Sequence, residues 1–205
     1  MRFIDLHVHS NLSTGADPPE RMLEHARRLK VALGLCDGVR TEDYPAGTEI
    51  TPKNRRDLRK KLRHGLDYVV VCGGDYRVNR LAVAEPGVDI LAHPDLGRRD
   101  SGVDAIVARA AAENRVAIEI NLGRIINSSG TRRVYVLRNV KKTLMLARKY
   151  GSPLIASTGA ESWLELRGGD GVRCLLQMIG FEEEEITDAM TTIPEQIIRG
   201  ELKSG

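Results

Sequence analysis

Short apolar runs recur along this chain, each followed by a stretch with helical periodicity, and several are apolar at every position. The seven runs are Arg2 to Leu6, Val31 to Leu35, Thr48 to Ile50, Tyr68 to Cys72, Val88 to Ala92, Val116 to Ile120 and Leu154 to Ser157. A strand wetted on one side alternates apolar and polar residues, whereas one that is apolar throughout is covered on both faces. Such strands, separated by helices, pair in parallel through right-handed crossovers. The expectation is an α/β fold closed into a seven-stranded barrel, with an open doubly wound sheet as second choice. No Gly-rich phosphate loop follows any strand, which argues against a nucleotide-binding sheet. The 205 residues suit one domain, 1–205, near the lower limit for a barrel of this kind.

Helix boundaries are marked by local chemistry. Asp17-Pro18-Pro19-Glu20 supplies an N-cap followed by Pro, and Thr51-Pro52 repeats the pattern. Ser101-Gly102-Val103-Asp104 has capping-box spacing. Gly65 and Gly151 sit where helices should stop, and Pro153 follows the second. The periodicity predicts a helix over 138–149, with Leu137, Val140, Leu144 and Ala147 on one face and a polar loop, Gly123 to Thr131, before it. From about residue 182 the chain is acidic and then helical.

Aromatic residues are 4% of the chain, so the core must be aliphatic. Cys36, Cys72 and Cys174 are odd in number and form no C-x-x-C, which predicts reduced, buried small hydrophobes in a cytoplasmic protein. No apolar stretch approaches the roughly 20 residues of a membrane span. The first residues lead straight into a strand, so no signal peptide is expected.

Two sets of residues carry chemistry. The first is His7 and His9, two apart at the end of a strand and so expected on one side of it, with Glu49 and His93 at later strand ends and Asp37 as a further carboxylate. One divalent cation could be held by the two imidazoles and a carboxylate; the competing expectation is polar side chains satisfied by hydrogen bonds. His25 and His64 are expected at the surface. The second set is basic. Residues 53 to 63 carry seven cations and one acid, with Arg55, Arg59 and Arg63 on one helical stripe and Arg56 and Lys60 beside it. Between Glu119 and Glu161 no acid occurs, while Arg124, Arg132, Arg133, Arg138, Lys141, Lys142, Arg148 and Lys149 do. Loops that follow barrel strands gather at one end, so Arg98, Arg99 and Arg124 are expected around the mouth that holds His7 and His9. A polyanion, folded RNA above all, is the expected partner, because few aromatics are present to stack on single-stranded bases.

The motif His7-Val8-His9-Ser10, with Glu49 and His93, resembles the polymerase-and-histidinol-phosphatase (PHP) superfamily, whose barrels build a multinuclear metal site. Against that pattern Thr14 stands where Asp is usual, Asp37-Gly38 lacks its His, and Ser157-Thr158-Gly159-Ala160 supplies no ligand. Residues 87 to 199 resemble a PHP-derived family, archaeal ribonuclease P protein component 3, a p30-type subunit. The matching stretches are Gly87 to Leu91 with His93-Pro94, Asp100 to Asp104, Asn114 to Leu122, Arg148 to Tyr150, Ile155 to Ser157 and Ile193 to Ile198. The resemblance implies a TIM-like barrel that is not itself the catalyst. It implies an RNA subunit that removes the 5′ leader of precursor tRNA, and protein component 2 as partner. It requires no cofactor and leaves His7, His9, Glu49 and His93 as a degenerate site for at most one divalent cation. The alternative is a stand-alone metal-dependent phosphoesterase; an interaction domain without RNA contact is a third.

Overall fold

The computed structural model describes residues 2–62 and 65–203; Arg63 and His64 lie outside the described residues. Strands and helices alternate: β1 (Phe3–Val8), α1 (Pro19–Leu29), β2 (Val31–Leu35), β3 (Gly47–Ile50), α2 (Arg55–Lys61), β4 (Tyr68–Cys72), α3 (Tyr76–Ala84), β5 (Ile90–Ala92), α4 (Ala105–Glu113), β6 (Ala117–Asn121), α5 (Leu122–Ile126), α6 (Gly130–Tyr150) and β7 (Leu154–Ser157). A 3-10 turn (Trp163–Glu165) leads to α7 (Gly169–Ile179) and α8 (Glu183–Thr187). A π-helical turn (Asp188–Thr192) then joins α8 to α9 (Ile193–Ile198). Each laddered strand pair is parallel.

The expected seven-stranded barrel is not present as one continuous ladder. β1 and β2 form a two-stranded sheet and β3 to β7 a five-stranded one, in sequence order. Isolated bridges cross both seams, Val8 to Ala160 on one side and Leu35 to Ala46 and Asp37 to Thr48 on the other. Side chains at each seam are the cause. Beside β7, the Asp5 carboxylate accepts the Thr158 N–H at 3.1 and 3.2 Å, so a side chain takes a bond a ladder would use. Beside β2 and β3, the buried Tyr68 ring of β4 occupies the space. A Cβ on Gly34 would lie 2.5 Å from the Tyr68 hydroxyl oxygen, and one on Gly47 would lie 2.2 Å from its ring. Only glycine admits the ring against both strands.

Side-chain parity then decides where polar groups go. Ile4, Leu6, Tyr68, Val70, Ile90, Ala92, Ala117 and Ile155 form an interior cluster with Ile197 and Leu202 from the C-terminal segment. Their alternate neighbours, such as Val69, Val71, Leu91 and Ile118, pack outward with Val83, Val107 and Ala111 of the helices. Counting by twos from Ala117 reaches Glu119 and Asn121; from Ile155 it reaches Ser157; from Val70, Cys72. The interior is therefore apolar at one end of the strands and polar at the C-terminal end. In β1 the register slips between Asp5 and Val8, a bulge that re-aims the following side chains.

Several helix starts differ from expectation. Asp17 is not a cap: its carboxylate accepts from Ser162 Oγ and the Trp163 N–H, and Pro18 takes the N-cap position. Asn54, not Thr51, caps α2 through the Asp57 N–H. Asp104 rather than Ser101 caps α4, accepting from the Val107 N–H. The predicted 123–131 loop is mostly helical, because Asn121 caps α5 through the Arg124 N–H and α6 already begins at Gly130. Gly151 ends α6 with φ 73° as expected. Among the described residues, no helix is long and apolar enough to cross a membrane.

Candidate functional site

Glu119 is the centre of the polar mouth. Its side chain is fully buried and receives four donors: His7 Nδ1 at 2.5 Å, the His93 N–H at 2.8 Å, Asn121 Nδ2 at 3.2 Å and the Ser157 hydroxyl. Burial pushes the Glu119 carboxyl up, but the His7 and His93 charges override it and hold the group far below its ordinary range. Burial likewise pushes His7 down, and the Glu119 carboxylate reverses this, leaving it well above the usual imidazole value. Such a pair is retained because both members are satisfied. Asp5 forms a second node. It accepts from the Thr158 hydroxyl at 2.5 Å and from the Thr158 and His7 amides, yet burial still pushes it up to about 6. Asp37 accepts from the Ser10 and Ser13 hydroxyls, at 2.6 and 2.5 Å, and from the Ser10 amide.

The structure brings all four expected metal ligands to this mouth. His7 Nε2 and His9 Nε2 lie 3.4 and 3.5 Å from the two Glu49 oxygens. Burial opposes ionisation of Glu49, but the His7 hydrogen bond and the three imidazoles draw it down to about 2. His7, His9 and Glu49 each offer a donor atom within 4.8 Å of the others, and His7, His93 and Glu119 form a second such group. His7 belongs to both, and its Nδ1 is already engaged by Glu119. The first group is therefore the one that fits a cation, with Glu119 orienting the His7 ring from behind. His93 stands beside it with a left-handed φ of 46° and a buried Nδ1 that has no hydrogen-bond partner among the described residues. Burial pushes the Cys36 and Cys72 thiols up to about 12, Glu49 adding to the effect at Cys72, so neither is a ready thiolate nucleophile.

The basic residues divide into committed and uncommitted cations. Arg55 and Arg59 bind the two oxygens of Glu85, at 3.0 and 2.8 Å, and Lys61 binds Asp57. A carboxylate from the end of α3 thus compensates Arg55 and Arg59 of the α2 stripe, leaving Arg56 and Lys60 exposed beside them. Arg98 is clamped by Asp100 and Gly74 O and lies 4.1 Å over the Tyr76 ring. Arg99 is exposed, and its carbonyl accepts from Arg138. The Arg124 guanidinium lies 3.4 Å from the Asp95 backbone and carboxylate oxygens, and among the described residues its buried Nε has no acceptor. Arg132, Lys141 and Lys142 are exposed, as is Arg133, which reaches the Ile126 carbonyl. Arg148 is tied to Glu185, so the acid-free 120–160 interval borrows acids from elsewhere in the chain. Arg124 and Arg132 share the walls of two cavities beside the mouth, of about 370 and 330 Å³.

Sequence reasoning missed Glu119, Asp5, Asn121, Asp95 and Arg167 as site residues. The signal for the first two was present: a lone acid inside an otherwise apolar strand, Ala-Ile-Glu-Ile-Asn and Phe-Ile-Asp-Leu. His25, expected at the surface, is half-buried and packs edge-on against Trp163 at 4.8 Å.

The family described as RNase P subunit p30 matches residues 46–204. Ribonuclease P protein component 3 of Methanosarcina mazei is 40% identical over 181 residues, covering 87% of this chain and 75% of that protein. The protein of the same description from Methanothermobacter thermautotrophicus is 36% identical over 221 residues, covering 97% and 89%. A chain in the cryo-EM structure of archaeal ribonuclease P with mature tRNA superposes with a TM-score of 0.78 at 26% identity, covering 97% of this chain and 90% of that one. A prolidase structure superposes with a TM-score of 0.64 at 12% identity, covering 96% and 74%, a likeness of fold alone.

Proposed function

The chain belongs to the RNase P subunit p30 family, and from that premise we propose that its polar mouth and basic rim hold RNA rather than cut it. It is a protein subunit of ribonuclease P, the ribonucleoprotein that processes tRNA 5′ ends, and a component rather than the catalyst. The observation that carries the non-catalytic role is at Ser157 and Thr158. A metal-dependent phosphoesterase would need ligands there; instead the two hydroxyls donate to Glu119 and Asp5. Glu119 and Asp5 are already satisfied by protein donors, which leaves Glu49 as the carboxylate open to a cation. A two-metal clamp on attacking and leaving oxygens is not assembled by the described residues.

The two sheets act as one seven-stranded barrel, its seams closed by side chains and bridges. RNA lies across the C-terminal ends of the strands, over the loop that carries Arg98 and Arg99, Arg124 of α5, and Arg132, Arg133, Lys141 and Lys142 of α6. Arg55, Arg56, Arg59 and Lys60 form a second, weaker contact, because Glu85 already neutralises two of them. The partners are the ribonuclease P RNA, protein component 2 and the other protein subunits, in the cytoplasm, with precursor tRNA met indirectly and no membrane. No cofactor is required. His7, His9 and Glu49 would hold a single divalent cation, whose chemistry when bound is that of a Lewis acid and structural cross-link.

The test is reconstitution of leader cleavage from RNA and protein subunits, with and without this chain. Omitting it should lower turnover. Hydrolysis of a phosphate ester by the chain alone with divalent ions, abolished by His7→Ala in a folded protein, would overturn the proposal in favour of a stand-alone phosphoesterase.

A further inference from the structure

The two cavities beside the mouth adjoin along one wall. The larger, about 370 Å³, is lined by Arg124, Arg132 and Arg167, by Asn121 and Asn127, and by Ser128. Glu161 and Glu165 also line it, so three guanidinium groups face two carboxylates. The smaller, about 330 Å³, is lined by Arg98, Arg124 and Arg132 with the carboxylate of Asp95, and Asp100 already holds Arg98. Arg124 and Arg132 belong to both. Arg124 is largely buried, at 17% side-chain exposure; its Nη2 lies 3.4 Å from Asp95, and among the described residues its Nε has no acceptor. A buried charged donor left unfilled is costly, so this guanidinium is poised for an acceptor.

The start of α6 supplies an independent observation. Ser129 makes no side-chain cap, and the first turn of this 21-residue helix contains no acid; it contains Arg132 and Arg133 instead. The helix dipole is positive at that end. Two cations added there oppose that dipole, an effect that Glu161 and Glu165 in the same cavity offset only in part. Guanidinium forks match phosphate oxygens two at a time. The exposed side chain of Asn127 suits the sugar between phosphates, whereas Asn121 is held by Glu119 and the Arg124 N–H, and the buried Ser128 hydroxyl by the Ile125 carbonyl.

We propose that these adjoining cavities seat two consecutive phosphates of one RNA strand, one on each side of the wall made by Arg124 and Arg132. This rests on the RNA-holding role proposed above and specifies its ligand. Arg132 is exposed and can be removed without opening the core, so it is the primary variant.

The test has two arms. In the first, the full chain labelled with ¹⁵N is titrated with the dinucleotide pUpU, with UMP and with inorganic phosphate, following the arginine Nε–H resonances. The expected result is a shift of the Arg124 signal and pUpU binding at least about tenfold tighter than UMP, because the second contact becomes intramolecular. Equal affinity for pUpU and UMP, or an unmoved Arg124 signal, overturns the proposal. In the second arm, salt dependence of binding to the ribonuclease P RNA is measured for wild type and Arg132→Ala, with Arg124→Lys as the variant that keeps charge and loses the fork. The log–log slope should flatten by about one for Arg132→Ala, so the wild-type advantage shrinks about fourfold between 50 and 200 mM salt. An unchanged slope overturns the paired subsite. If omitting the chain still lowers leader cleavage in that case, the subunit role stands and only this inference has failed.

Discussion

Removing Glu119 should cost more than any other single change in the mouth. In Glu119→Ala, the His7 imidazolium loses its 2.5 Å partner, and the His93 amide, Asn121 and the Ser157 hydroxyl lose their acceptor. Breaking a buried ion pair from one side costs about 3–5 kcal/mol. The stranded neutral donors would each add about 1–3 kcal/mol if independent, but they share one network and do not sum. His7 can also shed its proton and recover part of the loss. The net expectation is about 4 kcal/mol, which for a domain of this size lowers the melting temperature by about 8–16 °C. Glu119→Gln keeps the shape and one acceptor oxygen and should lose about half as much. Urea unfolding followed by far-UV circular dichroism measures both, with an unchanged m-value showing that the native fold is kept. The sharper check is the pair Glu119→Met with His7→Leu: if the cost lies in the orphaned partner, replacing both should recover most of the stability. A Glu119→Ala protein within about 1 kcal/mol of wild type would refute the reasoning, because a fully satisfied buried network cannot be lost that cheaply.

Other outcomes follow from the same geometry. The chain should bind one equivalent of Zn²⁺ or Mn²⁺ by calorimetry, and His9→Ala with Glu49→Ala should abolish that binding; two equivalents bound at comparable affinity would contradict the single-cation reading. His9→Ala alone should leave reconstituted leader cleavage nearly intact, and it is a cleaner probe than His7→Ala, which also strands Glu119. Gly47→Ala places a Cβ 2.2 Å from the Tyr68 ring and should destabilise the fold by about 1–3 kcal/mol by overpacking, with recovery in Gly47→Ala/Tyr68→Leu; thermal unfolding reads both. The hydrogen bonds from Arg59 and then Arg55 hold Glu85 below its ordinary 4.5. Its stabilising contribution is therefore full above pH 4.5 and is lost as pH falls through the lowered value. Glu85→Gln should thus be less stable than wild type at pH 7, with the difference narrowing as the pH falls below 4.5 in urea titrations.

How much of this was legible in the chain depends on which forces are local. Val31–Leu35, Tyr68–Cys72 and Leu154–Ser157 coincide with their apolar runs, because strands buried on both faces write their length directly into composition. Caps were less legible, because Asp17 and Ser101 have the right chemistry but are claimed by other groups: Ser162 and Trp163 bind the first, and the second turns back on Val103. The seams were illegible. They depend on Tyr68 meeting two glycines from other strands and on Asp5 reaching Thr158, contacts that span up to 153 residues. The charge pattern misled for a related reason: counting acids within residues 53–63 or 120–160 cannot see Glu85 or Glu185 arriving from elsewhere in the fold. The site itself was half legible. His7, His9, Glu49 and His93 announce themselves as residue types, whereas Glu119 looked like the edge of a basic interval. Yet its position was computable, since β6 alternates inward and outward, Ala117 faces in, and Glu119 must then face in too. A lone acid at an inward position cannot stay ionised without donors, and His7, Ser157 and Asn121 supply them here. Parity along a buried strand thus locates this site more sharply than the identity of any single ligand.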